Sequence, residues 1–169
     1  IFLFFGGFAL SAAMHHQQLD KIIAQRILVL AGGNFALAVL YLFSTTAFLS
    51  MWMSNTATAA MMLPLTIGML SQIDQSKNLT LYPFVLLGIA YSASIGGMGT
   101  LVGTPPNAIV AANLNISFAE WLKYGIPMVV ILMPLMIGVL YFILKPNLNH
   151  KINIDIQDKL EMTPQRWLT

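Results

Sequence analysis

A long uncharged stretch constrains the fold of this chain most strongly. From Ile27 to Ile73 there is no Asp, Glu, Lys, Arg or His. Over the whole chain 8% of residues are charged and 57% are hydrophobic, whereas a soluble domain carries about 25% charged residues. A backbone in lipid must satisfy its own hydrogen bonds, and a helix does so within one segment. The sequence therefore predicts an all-α integral membrane protein.

Composition also excludes several classes of function. The chain has no cysteine, so thiolate metal sites, thiol catalysis and disulfide bonds are excluded. Its net charge of +2 is small and gives no indication of nucleic-acid binding. The first residues, Ile1 to Phe5, are apolar and lack the basic flank of a secretory signal, so we expect a fragment of a longer protein.

Breaks in the apolar pattern divide the chain into segments. The predicted order is the end of a transmembrane helix at 1–14, an interfacial amphipathic helix at 18–31, a re-entrant hairpin at 34–73 with its tip at 54–56, a broken transmembrane helix at 79–115, an interfacial segment at 117–124, a transmembrane helix at 125–145 and a polar cytoplasmic tail at 146–169. Hydropathy fits two spanning helices at 34–73 equally well, and the absence of charge near the tip favours the hairpin. Most Lys and Arg residues then fall on one side, which is predicted to be cytoplasmic.

Two local patterns predict where helices begin. Ser117, with Glu120 three residues later, matches a capping box. Pro105 and Pro106 follow a glycine-rich break and suit the first turn of a helix. The helix that starts near Leu79 should therefore be discontinuous, which membrane proteins tolerate only in a protein interior or beside a wet cavity.

Polar residues cluster at two places in this apolar chain, residues 50–56 and 96–107. A polar group at membrane depth is costly unless it is capped or binds a ligand, so both are functional-site candidates. Ser50, Ser54 and Asn55 offer side-chain oxygens near a helix end, whose last carbonyls carry partial negative charge. Unwound carbonyls near 99–103 can complete an oxygen shell of the kind that hard cations such as sodium prefer.

Helix starts at the same two places predict an anion site beside the cation. Asn55 and Thr56 open one helix and residues 104–107 open another, so both present N–H groups and positive dipole ends. Two such ends can converge on a carboxylate, and each contributes about 0.3–1 kcal/mol when exposed and up to about 2 kcal/mol when partly buried. Because neither cluster contains Lys or Arg, we expect the cation to bind first and the anion second.

Each cluster alone also has an ordinary structural explanation. Ser and Thr in membrane helices usually bond the preceding carbonyls, and Gly99 with Gly103 matches a helix-packing motif. The two clusters together, each with a helix start, favour a binding site. A hydrolase with Ser54 as nucleophile is disfavoured, because the uncharged segment has no His, Lys or Asp to activate a serine.

The two clusters resemble the motifs of the divalent anion/sodium symporter family, the sodium-coupled dicarboxylate transporters. The resemblance rests on AFLSMWMSNTATA at 47–59 and SIGGMGTLVGTPPN at 94–107, and it extends over about 4–144. It implies half of an inverted-repeat transporter, a homodimer, and elevator-type movement of a substrate domain joined to its scaffold by an amphipathic arm near 19–30. The family's second Ser-Asn-Thr motif is absent, so this chain alone is not expected to transport.

The same resemblance implies site residues, matched to the family's hairpin tip. Sodium is implied at Ser50, Ser54, Asn55 and Gly103, and substrate at Ser54, Asn55, Thr56, Thr104 and Pro105. The expected function is sodium-coupled uptake of C4-dicarboxylates such as succinate or malate, by a protein of the bacterial inner membrane that is not an enzyme. Alternatives are sulfate, citrate or another oxyanion, proton coupling or exchange, and a half-protein without transport of its own.

Overall fold

The computed structural model of the chain describes residues 32, 34–70, 73 and 79–148. The regular structure of these residues is helical: α1 spans Phe35–Ser50, α2 Asn55–Leu70, α3 Leu81–Gly97, α4 Pro105–Leu114 and α5 Phe118–Leu144. This confirms the all-α prediction for the described part of the chain. The predicted segments at 1–14 and 18–31, and the tail from 149 onward, lie outside the described residues.

Helices α1 and α2 are consecutive and are separated by a short turn at 51–54, the hairpin turn. α1 begins at Asn34, whose side-chain oxygen accepts hydrogen bonds from the N–H groups of Ala36 and Leu37 at 3.0 and 3.4 Å. α2 begins after Ser54, whose carbonyl accepts from the Thr58 N–H at 3.0 Å. Each helix is 16 residues long, or about 24 Å at 1.5 Å per residue.

Contacts with α3 show how this pair is oriented. Along α1, Phe43 packs on Gly88 and Ser50 bonds Ala93, so α1 and α3 run in the same direction. α2 runs the opposite way, because its first residue lies against the end of α3 and the carbonyl of its last residue, Leu70, accepts from the Tyr82 hydroxyl at 2.8 Å. α1 and α2 therefore form a helical hairpin whose turn lies near the C-terminal end of α3.

Two glycines of α3 allow α1 to approach closely. A Cβ added at Gly88 would lie 2.0 Å from the Phe43 ring, and one added at Gly96 would lie 2.1 Å from the Ala47 carbonyl oxygen. Small residues that permit such backbone contact are common where membrane helices pack. The apolar core extends from this contact into α2 and α5; its largest fully buried side chains include Phe35, Leu42, Phe43, Met62, Leu70, Leu81, Phe84 and Val85.

The predicted break after α3 and the predicted capping box are both present. α3 ends at Gly97, and α4 begins with the two prolines in its first turn. Ser117 and Glu120 form the reciprocal capping box at the start of α5. From there a single helix runs to Leu144, where the sequence predicted an interfacial segment at 117–124 followed by a separate helix at 125–145. Gly125 lies inside this helix, where an added Cβ would lie 2.5 Å from the Gly99 carbonyl oxygen.

Helix α5 is the one helix among the described residues that is long and apolar enough to cross a membrane by length and composition. It buries a stripe at helical spacing, Gly125, Val129, Met133, Met136 and Leu140, and much of its opposite face is exposed apolar surface. α1, α2 and α3 are apolar but shorter. The hairpin and α3 thus form a compact group on which α5 packs along its buried stripe.

Candidate ion and substrate site

The two polar clusters that the sequence singled out meet in the structure. One is the hairpin turn with the helix ends beside it, and the other is the broken segment at 98–104, between α3 and α4. The Thr100 hydroxyl donates to the Met51 carbonyl, and the Ser50 hydroxyl lies 2.6 Å from the Ala93 carbonyl. Residues far apart in the chain are therefore brought together at the end of α3.

Ser50 is fully buried in the last turn of α1 and lies between two acceptors. Its Oγ is 2.6 Å from the Ala93 carbonyl oxygen and 2.8 Å from Asn55 Oδ1. A hydroxyl has one proton to donate, so it cannot serve both acceptors at once. When the proton goes to Ala93, Ser50 Oγ and Asn55 Oδ1 face each other as two oxygens without a proton between them. Both oxygens then keep lone pairs that a cation beside them can use.

Asn55 packs directly on the backbone of Gly97. A Cβ added at Gly97 would lie 2.1 Å from Asn55 Oδ1 and 3.0 Å from the Thr104 methyl carbon. Real Cβ atoms do not approach other atoms to 2.1 Å, so a side chain at this position would displace the Asn55 side chain. Gly97 is where the hairpin and the start of α4 touch the same backbone atoms.

Gly103 approaches Gly97 from the other side. A Cβ added at Gly103 would lie 2.3 Å from the Gly97 carbonyl oxygen and 2.8 Å from its Cα. Three of the predicted site residues, Asn55, Gly103 and Thr104, therefore lie against Gly97, and a fourth, Ser50, bonds Asn55. We call this group the Gly97 centre. Gly97 lies within the second motif, but no pattern in the sequence indicated a role for it.

Two buried polar side chains hold the broken segment in place. Asn107 Nδ2 donates to the carbonyls of Gly97 and Thr100, both at 2.8 Å. The Thr100 hydroxyl oxygen accepts from the N–H groups of Val102 and Gly103, both at 3.2 Å. The sequence assigned neither side chain a role; the only signal was that each is a polar residue within the motif at 94–107.

The remaining predicted residues lie at the helix starts beside the centre. Ser54 is exposed and its Oγ accepts from the Ala57 N–H at 3.3 Å, so it caps α2. Thr56 is exposed in the first turn of α2, and Pro105 is exposed in the first turn of α4. These residues form a rim next to the buried centre rather than part of it.

The electrostatics of the site come from backbone and neutral side chains. Neither 34–70 nor 79–119 contains a charged residue. The C-terminal ends of α1 and α3 bring partial negative charge, and the N-terminal ends of α2 and α4 bring partial positive charge. Neutral oxygens beside helix C-termini suit a hard cation, and helix N-termini suit a carboxylate. The donor set therefore fits a sodium ion next to a carboxylate.

Comparison with known proteins places the chain in a family. The family model described as "Citrate transporter" matches residues 1–163, and the chain belongs to this family. An uncharacterized transporter of Haemophilus influenzae is 64% identical over 169 residues, covering 100% of this chain and 36% of that protein. An uncharacterized transporter of Methanocaldococcus jannaschii is 40% identical over 151 residues, covering 89% of this chain and 34% of that protein.

A named relative supports the resemblance stated from the motifs. A sodium-dependent dicarboxylate transporter of Staphylococcus saprophyticus is 36% identical over 147 residues, covering 79% of this chain and 28% of that protein. The predicted kinship with sodium-coupled dicarboxylate transporters is thereby confirmed. The chain spans about a third of the length of the curated relatives it matches. It is a member of a family of transporters.

Proposed function

We propose that this chain supplies one half of the binding site of a sodium-coupled dicarboxylate transporter. The observation that carries the proposal is the Gly97 centre, where four of the residues expected to bind sodium or substrate meet in a chain region without charge. Sodium and dicarboxylate are co-transported substrates here, and the protein groups that face them are uncharged.

The sodium ion would be held by oxygens from both sides of the centre. Ser50 and Asn55 provide side-chain oxygens 2.8 Å apart, Ser54 follows in the hairpin turn, and Gly103 contributes its carbonyl from the broken segment. The Ser50 hydroxyl can keep donating to the Ala93 carbonyl while its oxygen lone pairs face the ion. Asn107 already bonds the Gly97 and Thr100 carbonyls, so the Gly103 carbonyl is the better candidate ligand of this segment.

The dicarboxylate would bind at the rim, where α2 and α4 begin. Ser54, Asn55 and Thr56 lie at one helix start, and Thr104 and Pro105 lie at the other. Each start contributes on the order of 1 kcal/mol to binding a carboxylate. Two such contributions are too small to hold a dianion by themselves, so the bound sodium would have to come first. This order of binding is the physical basis of the coupling.

Helix lengths support a hairpin tip inside the membrane. α1 and α2 are each about 24 Å long, whereas the hydrocarbon core of a bilayer is about 30 Å thick. A hairpin of this length that enters from one side ends within the membrane, which would place the hairpin turn and the site at depth. The further elements of the proposal are the second inverted repeat, a homodimer, elevator-type movement and a bacterial inner-membrane location. They follow the family resemblance and the Haemophilus influenzae relative.

Uptake of radiolabelled succinate tests the proposal. The complete protein that carries this sequence is reconstituted in liposomes, and uptake is measured with an inward sodium gradient and with choline in its place. We expect uptake to require sodium. Uptake that proceeds equally in choline would reject sodium coupling and favour proton coupling or exchange. No uptake from folded protein in either condition would reject the dicarboxylate.

Citrate is the second candidate substrate, because the matching family model is described as a citrate transporter. Citrate carries the same carboxylate groups that helix N-termini bind, but it carries one more of them. Competition separates the two candidates. Unlabelled succinate, citrate and sulfate are each added at equal concentration, and the best inhibitor of sodium-dependent uptake identifies the preferred anion.

A further inference from the structure

Thr100 links the two sides of the Gly97 centre with one hydroxyl group. It lies in the broken segment and is 1% exposed. Its hydroxyl donates across the site to the carbonyl of Met51, the residue after Ser50 in the hairpin turn. The same oxygen accepts from the N–H groups of Val102 and Gly103, both at 3.2 Å. The hairpin turn and the broken segment are therefore tied together at Thr100.

The hydrogen bonds of Thr100 leave it no capacity to bind an ion itself. A hydroxyl has one proton and two acceptor lone pairs. The proton is used on Met51, and the lone pairs face Val102 and Gly103. Thr100 thus differs from Ser50, whose oxygen keeps lone pairs available after its proton is donated. Thr100 therefore positions neighbouring backbone groups and does not contact the ion itself.

We propose that Thr100 is a positioning residue that sets the separation between the two halves of the sodium site. This inference rests on the proposed function, since it concerns the same site. Ser50 and Asn55 lie on the hairpin side, and the Gly103 carbonyl lies on the other. Because Thr100 holds the backbone on both sides, it orders the ligands before the ion arrives. Losing the hydroxyl would separate the two halves and lower sodium affinity.

Asn107 reinforces the broken segment but does not replace this link. Both protons of its Nδ2 are used on the Gly97 and Thr100 carbonyls, within the α3–α4 region. Asn107 therefore ties the start of α4 to the end of α3 and to the broken segment between them, whereas Thr100 joins the broken segment to the hairpin. Ser50 also bonds Ala93 of α3 near the centre, and the Tyr82–Leu70 bond joins α3 to the hairpin at the opposite end of α3.

The test compares three substitutions in the complete protein. Thr100→Val keeps the shape of the side chain and removes the hydroxyl, and Thr100→Ser keeps the hydroxyl. Thr66→Val is the matched control, because Thr66 is also fully buried but its hydroxyl bonds only the Met62 carbonyl within α2, at 2.7 Å. For each variant, succinate uptake is measured against sodium concentration, which gives a half-saturating sodium concentration and a maximal rate.

We expect Thr100→Val to raise the half-saturating sodium concentration about tenfold, which corresponds to about 1.4 kcal/mol. Thr100→Ser and Thr66→Val should stay close to the unsubstituted protein. An unchanged half-saturating sodium concentration in Thr100→Val would overturn the inference. A fall in the maximal rate or in the amount of folded protein alone would indicate only a structural role for Thr100. If the unsubstituted protein itself showed no sodium dependence, the proposed function would fail first.

A binding measurement gives the same comparison without transport. The thermal midpoint of the purified protein is measured in sodium chloride and in choline chloride. A ligand that binds only the folded state raises this midpoint. We expect the sodium-induced rise to be smaller in Thr100→Val than in Thr100→Ser, and equal rises would overturn the inference. If Thr100→Val does not fold, Thr100→Ala removes the hydroxyl without introducing the second methyl group.

Discussion

The hairpin turn and the broken segment meet at the same site, but they present different chemical groups. The hairpin brings the side-chain oxygens of Ser50 and Asn55. The end of α3 and the broken segment bring backbone, at Gly97 and Gly103, where an added Cβ would lie 2.1 and 2.3 Å from the nearest atom. One half of the site is made of polar side chains, and the other half depends on the absence of side chains.

This difference predicts two kinds of damage. On the hairpin side, a substitution removes a proposed sodium ligand and leaves the backbone in place. On the other side, a substitution adds atoms at a close contact: a Cβ at Gly103 would meet backbone atoms of Gly97, and a Cβ at Gly97 would meet the side chains of Asn55 and Thr104. Added volume in a close-packed region costs about 1–3 kcal/mol because neighbours must move. The backbone half should therefore be the less tolerant of the two.

Gly97→Ala should have the largest effect. Its new methyl group would lie 2.1 Å from Asn55 Oδ1 and 3.0 Å from the Thr104 methyl carbon, so Asn55 must leave its position. We expect sodium-dependent uptake to be lost, although alanine is the better helix former by about 1 kcal/mol. Uptake by the complete protein in proteoliposomes, normalised to folded protein, measures the effect.

Gly138→Ala is the control for this substitution. Gly138 lies in α5, and a Cβ added there meets no atom within 4 Å. The same chemical change should therefore leave uptake unaltered. Normal uptake by Gly97→Ala would mean that Asn55 is not needed where the structure places it. It would also contradict the expectation that the backbone half of the site is the less tolerant one.

Asn55→Ala should have the next largest effect, by the loss of one ligand. Its Oδ1 lies 2.8 Å from Ser50 Oγ, and a hydrogen-bond partner of a charged group contributes about 1.5–3 kcal/mol. We expect the half-saturating sodium concentration to rise about 10- to 100-fold, with folding retained. A sodium titration of uptake measures it. An unchanged half-saturating sodium concentration would mean that Asn55 is not a sodium ligand.

Part of this architecture could be predicted from sequence. The start of α5 was predictable because Ser117 and Glu120 are close in the chain, and the start of α4 because Pro105 and Pro106 suit only a first turn. Ser50 and Asn55 were identifiable because polar residues are conspicuous in an uncharged stretch. Each of these signals is local, so the sequence displays it directly.

The contacts of Gly97 and Thr100 could not be predicted in the same way. A glycine in a membrane helix can serve packing, flexibility or close approach, and which of these applies depends on the residues that pack against it. Asn55 reaches Gly97, and Met51 reaches Thr100, only because the hairpin folds back along α3. These contacts join residues that are distant in the chain, so no local pattern reports them. The close approach of Gly125 to Gly99 is a similar case, since it joins α5 to the broken segment.

The smallest expected difference comes from two serines that cap helices. Ser54 caps α2 through the Ala57 N–H, and Ser117 caps α5 through the Glu120 N–H, each at 3.3 Å. Replacing either by alanine should lower stability by about 0.5–2 kcal/mol, as the loss of an N-cap does. Only Ser54 lies at the rim of the site, so only Ser54→Ala should also weaken sodium-dependent uptake. The comparison is made by measuring thermal unfolding and uptake for both variants. Equal uptake by the two would show that Ser54 only caps α2.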